Sequence, residues 1–221
     1  SKRGLLAMNH EYVDHGLLFK DGMANWSAEK VRKSQAAHGV SVIEVQDKGG
    51  KWEVVNPSKY ARRITTNTRT ELSGPAAGHA MLKTAADPAG KVVMGTLNNC
   101  ASGITPWGTY LTSEENFIFY FSGGDTLTPH ERRWGLRKGG VGYRWHEHDA
   151  RFDAVKNPNE PNRFGWIVEI DPQNPNATPM KRTAMGRGAH EGATVAVTKD
   201  NRAVVYMGED ARFEYIYKFV S

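Results

Sequence analysis

What most limits the fold of this chain is its supply of short apolar runs. "GVSVIEV", "KWEVV", "KVVMGTL", "FIFYF", "GWIVEI", "ATVAV" and "AVVYMG" are rich in Val, Ile, Tyr and Phe, and each is bounded by Gly, Pro, Asn or Asp. Runs of this length and composition are strand-sized and turn-bounded, as in a protein built of many short antiparallel strands. Helical periodicity is scarce. The one helix the pattern predicts covers residues 27–39, "SAEKVRKSQAAHG", with Ser27 as N-cap, Glu29 in the first turn and Gly39 as the stop. The reading is all-β.

The strands recur in a set order. "LLAMNHEY", "GTYLTSEEN" and "AVVYMGED" each end in acidic residues, and aligning those ends superposes Glu11, Glu115 and Asp210, spaced about 100 residues apart. That period is about twice the four-stranded unit of a repeating blade. Read as two blades per repeat, or as one blade plus a long excursion, and arranged radially, the pattern makes a β-propeller, an architecture that leaves few exposed edges. The chain is then one domain, 1–221, forming part of a larger propeller; a β-sandwich is the alternative. Residues 122–163 form a long polar insertion, expected as a surface lid or solvated loop.

Three strand ends deliver carboxylates at the same place in the pattern: Glu11 of "NHE", Glu114 and Glu115 of "SEEN", and Asp210 of "GED". Carboxylates brought close raise one another's pKa. A bound hard cation such as Ca²⁺ or Mg²⁺ relieves that repulsion. Cys100, the single cysteine, falls in the polar segment "NNCASG", read as a loop, and can form no internal disulfide. As a thiolate it would favour a softer or redox-capable metal over calcium. In "MGRGAHEG", Arg187 and Glu191 stand among small residues, and an arginine fork there suits phosphate. The tryptophans and tyrosines of "TPWGTY", "YRWHEH" and "RFEYIYKF" are expected as packing residues.

Charge narrows the partners. The net charge is +5 and the pI about 9.3, but the basic residues are scattered as pairs such as Arg62-Arg63, Arg132-Arg133 and Lys181-Arg182. No basic run or basic helix with interleaved aromatics is present, so nucleic acid is not an expected partner. No apolar run approaches the roughly 20 residues of a bilayer span. No signal-peptide pattern is visible, and both ends read as cuts made inside or beside a strand.

Taken together, "LLAMNHEY", "NNCASGITPWGTYLTSEENF", "GRGAHEGATV" and "VVYMGEDARFEYIYKFV" resemble the PhoX-type alkaline phosphatases over nearly the whole chain. The resemblance implies a β-propeller enzyme, exported by the twin-arginine route to the periplasm or beyond and monomeric at full length. It implies hydrolysis of phosphomonoesters with a cluster of iron (Fe³⁺) and calcium (Ca²⁺) ions. Carried over by motif, Cys100 is the iron ligand and Glu191 a carboxylate ligand close to it. Glu11 and Glu115 are further metal ligands, Glu114 and Asp210 are weaker placements, and Arg187 is the candidate to stabilise the phosphate. The family's chains are longer and carry an "RPE"-like motif in their C-terminal half, which this sequence lacks, so the chain is expected to be a fragment. The alternative function is a non-catalytic calcium-binding propeller module.

Overall fold

The computed structural model describes residues 2–221. Its strands fall into three sheets, none of them closed on itself among the described residues. In the first, β1 (Arg3–His10) pairs along its length with β2 (Gly39–Asp47). The far side of β2 pairs with two short strands, β3 (Trp52–Val54) and β4 (Arg62–Ile64), all antiparallel. The second sheet holds β5 (Arg69–Ser73), β6 (Val92–Met94), β7 (Asn99–Ile104), β8 (Tyr110–Glu114), β9 (Ile167–Ile170) and β10 (Met180–Arg182) in the order β6-β5-β10-β9-β8-β7. Strands β7 to β10 form an antiparallel meander, and the β5–β6 hairpin joins it through the parallel pair β5–β10. The third sheet is a three-stranded meander of β11 (Thr194–Val197), β12 (Ala203–Gly208) and β13 (Ile216–Val220).

Helices are few and short. After the single turn α1 (His15–Leu18) comes α2 (Ala28–Ala37), on the predicted residues. The Ser27 hydroxyl accepts a hydrogen bond from the Lys30 N–H at 3.3 Å, closing the N-terminus as an N-cap should. Gly39 ends the helix at φ +102°, and a Cβ there would lie 2.0 Å from the Ile64 carbonyl oxygen. Only glycine fits where the chain turns so sharply into β2. No helix among the described residues is long and apolar enough to cross a membrane.

Three expectations are corrected. "FIFYF" is not a strand: Phe117–Tyr120 form a 3-10 turn that buries Phe117, Ile118 and Tyr120. Cys100 is not in a loop but is the second residue of β7, at a bulge between Asn99 and Ser102. The third concerns 122–163, which is no solvated lid. Trp145 and Phe152 are wholly buried, and with Leu136 and Ala154 they join the largest apolar cluster beside Tyr120, Phe121 and Phe164. Burying a large aromatic side chain is worth about 2–3 kcal/mol. Its short helix α3 (Pro129–Arg133) is closed by a capping box, Thr128 and Glu131 bonding each other's backbone N–H. The segment gives no periodic signal because one apolar side chain per irregular turn is enough to anchor it.

The aromatic runs divide. Trp145 of "YRWHEH" is core, whereas Trp107 and most of "RFEYIYKF", including Phe213 and Tyr215, are exposed.

Candidate metal centre

Each sheet sends the end of one strand to a common point. Glu11 follows the last residue of β1, Glu115 the last of β8, and Asp210 lies two residues beyond β12. Cys100 reaches the same place from β7, and Glu191 from the segment ahead of β11. Ligand atoms of Glu11, Cys100 and Glu115 all lie within 4.8 Å of one another, and so do those of Glu115, Glu191 and Asp210. Glu115 belongs to both groups and is the most buried carboxylate of the five residues. The Cys100 thiol points at Glu191 Oε1, 3.7 Å away.

Local chemistry holds these ends in place. The Asn9 amide donates to the carbonyls of Cys100 (2.9 Å) and Ala101 (3.1 Å). Its oxygen accepts from the hydroxyls of Tyr110 (3.0 Å) and Thr112 (2.8 Å), so one side chain ties β1 to β7 and β8. Asn98, in the left-handed region at φ +49°, accepts from the Asn116 N–H at 2.6 Å, and Asn116 Nδ2 donates to Glu115 Oε1 at 2.7 Å. The stretch 188–191 is laced between two sheets. His190 N–H donates to the Glu114 carbonyl, Glu191 N–H to Gly208, and Asp210 N–H back to Ala189. Both oxygens of Glu209 accept from Ala189 N–H at 2.9 Å. The backbone at Gly188 passes so close that a Cβ there would sit 2.1 Å from Glu209 Oε2.

No ion pair among the described residues involves Glu11, Glu115, Glu191 or Asp210. The electrostatic effect is plain. Burial, then the charges of Glu11, Glu115 and Glu191, push the Cys100 thiol up to about 12. Burial and neighbouring Asp210 push Glu115 up to about 8, and burial raises Glu11. Carboxylates and a thiol gathered this closely repel one another when charged, and a multivalent cation would relieve that repulsion. Oxygen donors suit a hard ion and the thiolate a softer one, so the donor set accommodates both kinds.

Two of the sequence candidates stand apart from this centre. Glu114 is wholly buried; its oxygens accept from Lys181 Nζ (2.7 Å), Gly165 N–H (2.9 Å) and Trp166 N–H (3.1 Å). Successive residues of an extended chain point to opposite sides, so Glu114 enters the core and Glu115 faces the cluster. Arg187 is held by the carbonyls of Phe164 and Pro161, both at 2.8 Å, and stacks between Phe117 and Trp134. Burial lowers its pKa to about 9. Sequence reasoning missed Asn9, whose only signal was its place beside His10 and Glu11.

The fold and the site define a mostly β protein that gathers acidic strand ends and one thiol into a centre suited to cations. A family model described as alkaline phosphatase PhoX matches residues 1–221, and the chain belongs to that family. Among solved structures it is similar to Pseudomonas fluorescens PhoX in complex with vanadate, a transition-state analogue, with a TM-score of 0.97 and 54% sequence identity. That match covers 99% of this chain and 38% of the other, so the chain spans well under half the length of this relative. No curated protein matches it.

Proposed function

We propose that the chain contributes part of the metal centre of a phosphomonoester hydrolase that uses iron and calcium. The observation that carries this is the convergence of Glu11, Cys100, Glu115, Glu191 and Asp210, with no cationic partner among the described residues, in a chain of the PhoX family. Cys100 would hold iron, with Glu191 beside it, and Glu11, Glu115 and Asp210 would share the remaining ions. Bound cations would supply charge neutralisation to the phosphate oxygens and polarise the phosphorus for attack.

The chain's own residues do the positioning. Glu115 would bridge the two halves of the centre, its orientation fixed by the Asn116 amide. Asn9 keeps the Cys100 backbone against β1. Holding ligands in place before the ions arrive limits the reorganisation that binding requires, and such outer contacts tune both affinity and activity. The antiparallel meanders, each giving one strand end to the centre, support reading the sheets as parts of propeller blades. The periplasmic or secreted location implied by the resemblance belongs to the same reading.

The test is iron and calcium analysis of the intact protein and its Cys100→Ser variant, with p-nitrophenyl phosphate as substrate. Loss of iron together with turnover is expected. A variant that keeps both would remove Cys100 from the centre. Calcium alone, unchanged by the substitution and without turnover in either protein, would make the chain part of a binding module instead.

A further inference from the structure

The assembled carboxylates and thiol explain how cations would be held, but among the described residues they include no cationic side chain that could meet the substrate. The side chain picked from sequence for that task, Arg187, already gives two of its nitrogens to backbone carbonyls beneath two aromatic rings. A different arginine stands at the centre's edge. Arg133, the last residue of α3, lines a cavity of about 150 Å³ together with Glu115, Glu209 and Asp210. Its side chain is half exposed, and Nη2 donates to Glu214, which is also held by the Tyr217 hydroxyl. Its Nε and Nη1 have no protein acceptor among the described residues. Trp134 lies under the guanidinium at 5.2 Å, lines the same cavity, and has an indole N–H with no acceptor among the described residues.

Resting on the phosphatase reading above, we infer that Arg133 is the side chain with which this part of the protein grips the substrate's phosphate at the carboxylate–thiol centre. A guanidinium presents five N–H donors in a fixed fork. One edge can stay on Glu214 while the other takes two phosphate oxygens, the geometry that makes arginine suited to phosphate. The pairing with Glu214 aims the fork, because an arginine tied at one nitrogen has fewer rotamers to lose on binding. The capping box at Thr128 and Glu131 and the buried anchors Leu136 and Trp145 hold α3 at the cavity wall. The 122–163 segment then acquires a role: it is the bracket that brings a phosphate-binding cation to a cluster made, among the described residues, of carboxylates and a thiol.

The experiment compares the intact, metal-loaded protein with Arg133→Ala, Arg133→Lys and Arg132→Ala. The readouts are kcat and KM for p-nitrophenyl phosphate, inhibition by inorganic phosphate, melting temperature, and iron and calcium content. Removing one preorganised donor to a reacting oxyanion lowers turnover about 100-fold or more. Arg133→Ala is expected to lose about that factor in kcat/KM and to bind inorganic phosphate more weakly, with metal content and melting unchanged. Arg133→Lys should recover part of the loss, since lysine restores the charge but not the fork. Arg132→Ala, whose guanidinium only meets the Leu127 carbonyl, should behave as the parent.

Parent-like kcat/KM and phosphate inhibition in Arg133→Ala would overturn the inference while leaving the phosphatase reading intact. Loss of metal or of folding in both Arg133 variants would overturn it too, by making the residue a support for Glu214 and its neighbours. An intact parent protein that holds metal but turns over no phosphomonoester would overturn the phosphatase reading itself, and the inference with it.

Discussion

Two adjacent glutamates show how much rests on single residues here. Glu114 and Glu115 are indistinguishable as letters, yet alternation along the strand sends one to Lys181 and the other to the cluster. Sequence placed Glu11, Glu115 and Asp210 in register because their strands end alike, and the three do converge. It ranked Glu115 above Glu114 but kept both as metal candidates, since which of the two turns inward depends on which face of β8 meets the core. Asn9 was less visible still: its importance lies in four partners contributed by β7 and β8. Asn9→Ala leaves two carbonyls and two hydroxyls without it and loosens the backbone that carries Cys100. Each lost hydrogen bond is worth about 1 kcal/mol, so a destabilisation of about 2–4 kcal/mol is expected by denaturant titration. Outer-shell substitutions of this kind lower metal affinity by about 10–100-fold. A chelator competition on Asn9→Ala that matches the parent would show that β1 is not what positions Cys100.

Among the elements, strand identity was well marked by composition, while pairing was not. The parallel contact of β10 with β5 joins segments more than a hundred residues apart, and no local signal announces it. The buried ion pair between β8 and β10 is equally non-local. Lys181 and Glu114 have no exposed surface at all, and Lys181 Nζ also donates to the Arg163 carbonyl at 2.9 Å and lies 3.9 Å from the Phe164 ring. Burial lowers the lysine's pKa to about 8, against the pull of Glu114. Removing one member leaves the other charged and buried, which costs about 3–5 kcal/mol. Lys181→Met alone should therefore destabilise by that amount. Lys181→Met combined with Glu114→Gln should recover most of it, because the neutral amide still accepts a backbone N–H. Urea midpoints for the two single variants and the double variant give the coupling energy directly. Strictly additive losses would mean that the pair is not a unit.

At the scale of the whole molecule, the joint between the helix and the 122–163 segment is where stability should depend on pH. His38 caps α2, has no exposed surface, and donates from Nδ1 to the Ser34 carbonyl at 2.7 Å. Its ring is enclosed by Tyr120, Tyr143 and Trp145 at 5.1–5.8 Å, and Nε2 has no partner among the described residues. Burial, reinforced by the charges of His15, Arg63 and His10, lowers its pKa from 6.5 to about 4. The folded chain therefore binds fewer protons than the unfolded one between those values, and stability falls as the medium is acidified. The contribution is fully present above pH 6.5, drains as the unfolded histidine takes its proton, and is gone below about pH 4. The shift corresponds to about 3 kcal/mol at one pKa unit per 1.36 kcal/mol. No sequence pattern marks this residue, since two of its three enclosing rings, Tyr143 and Trp145, come from a segment that looked solvated. Denaturation midpoints of the intact protein measured from pH 7 to pH 4 should fall more steeply than those of His38→Gln, which keeps an amide donor for Ser34 without the titration. Parallel curves for the two proteins would mean that protonating His38 does not open the joint, and that the aromatic enclosure yields to the charge without loss of packing.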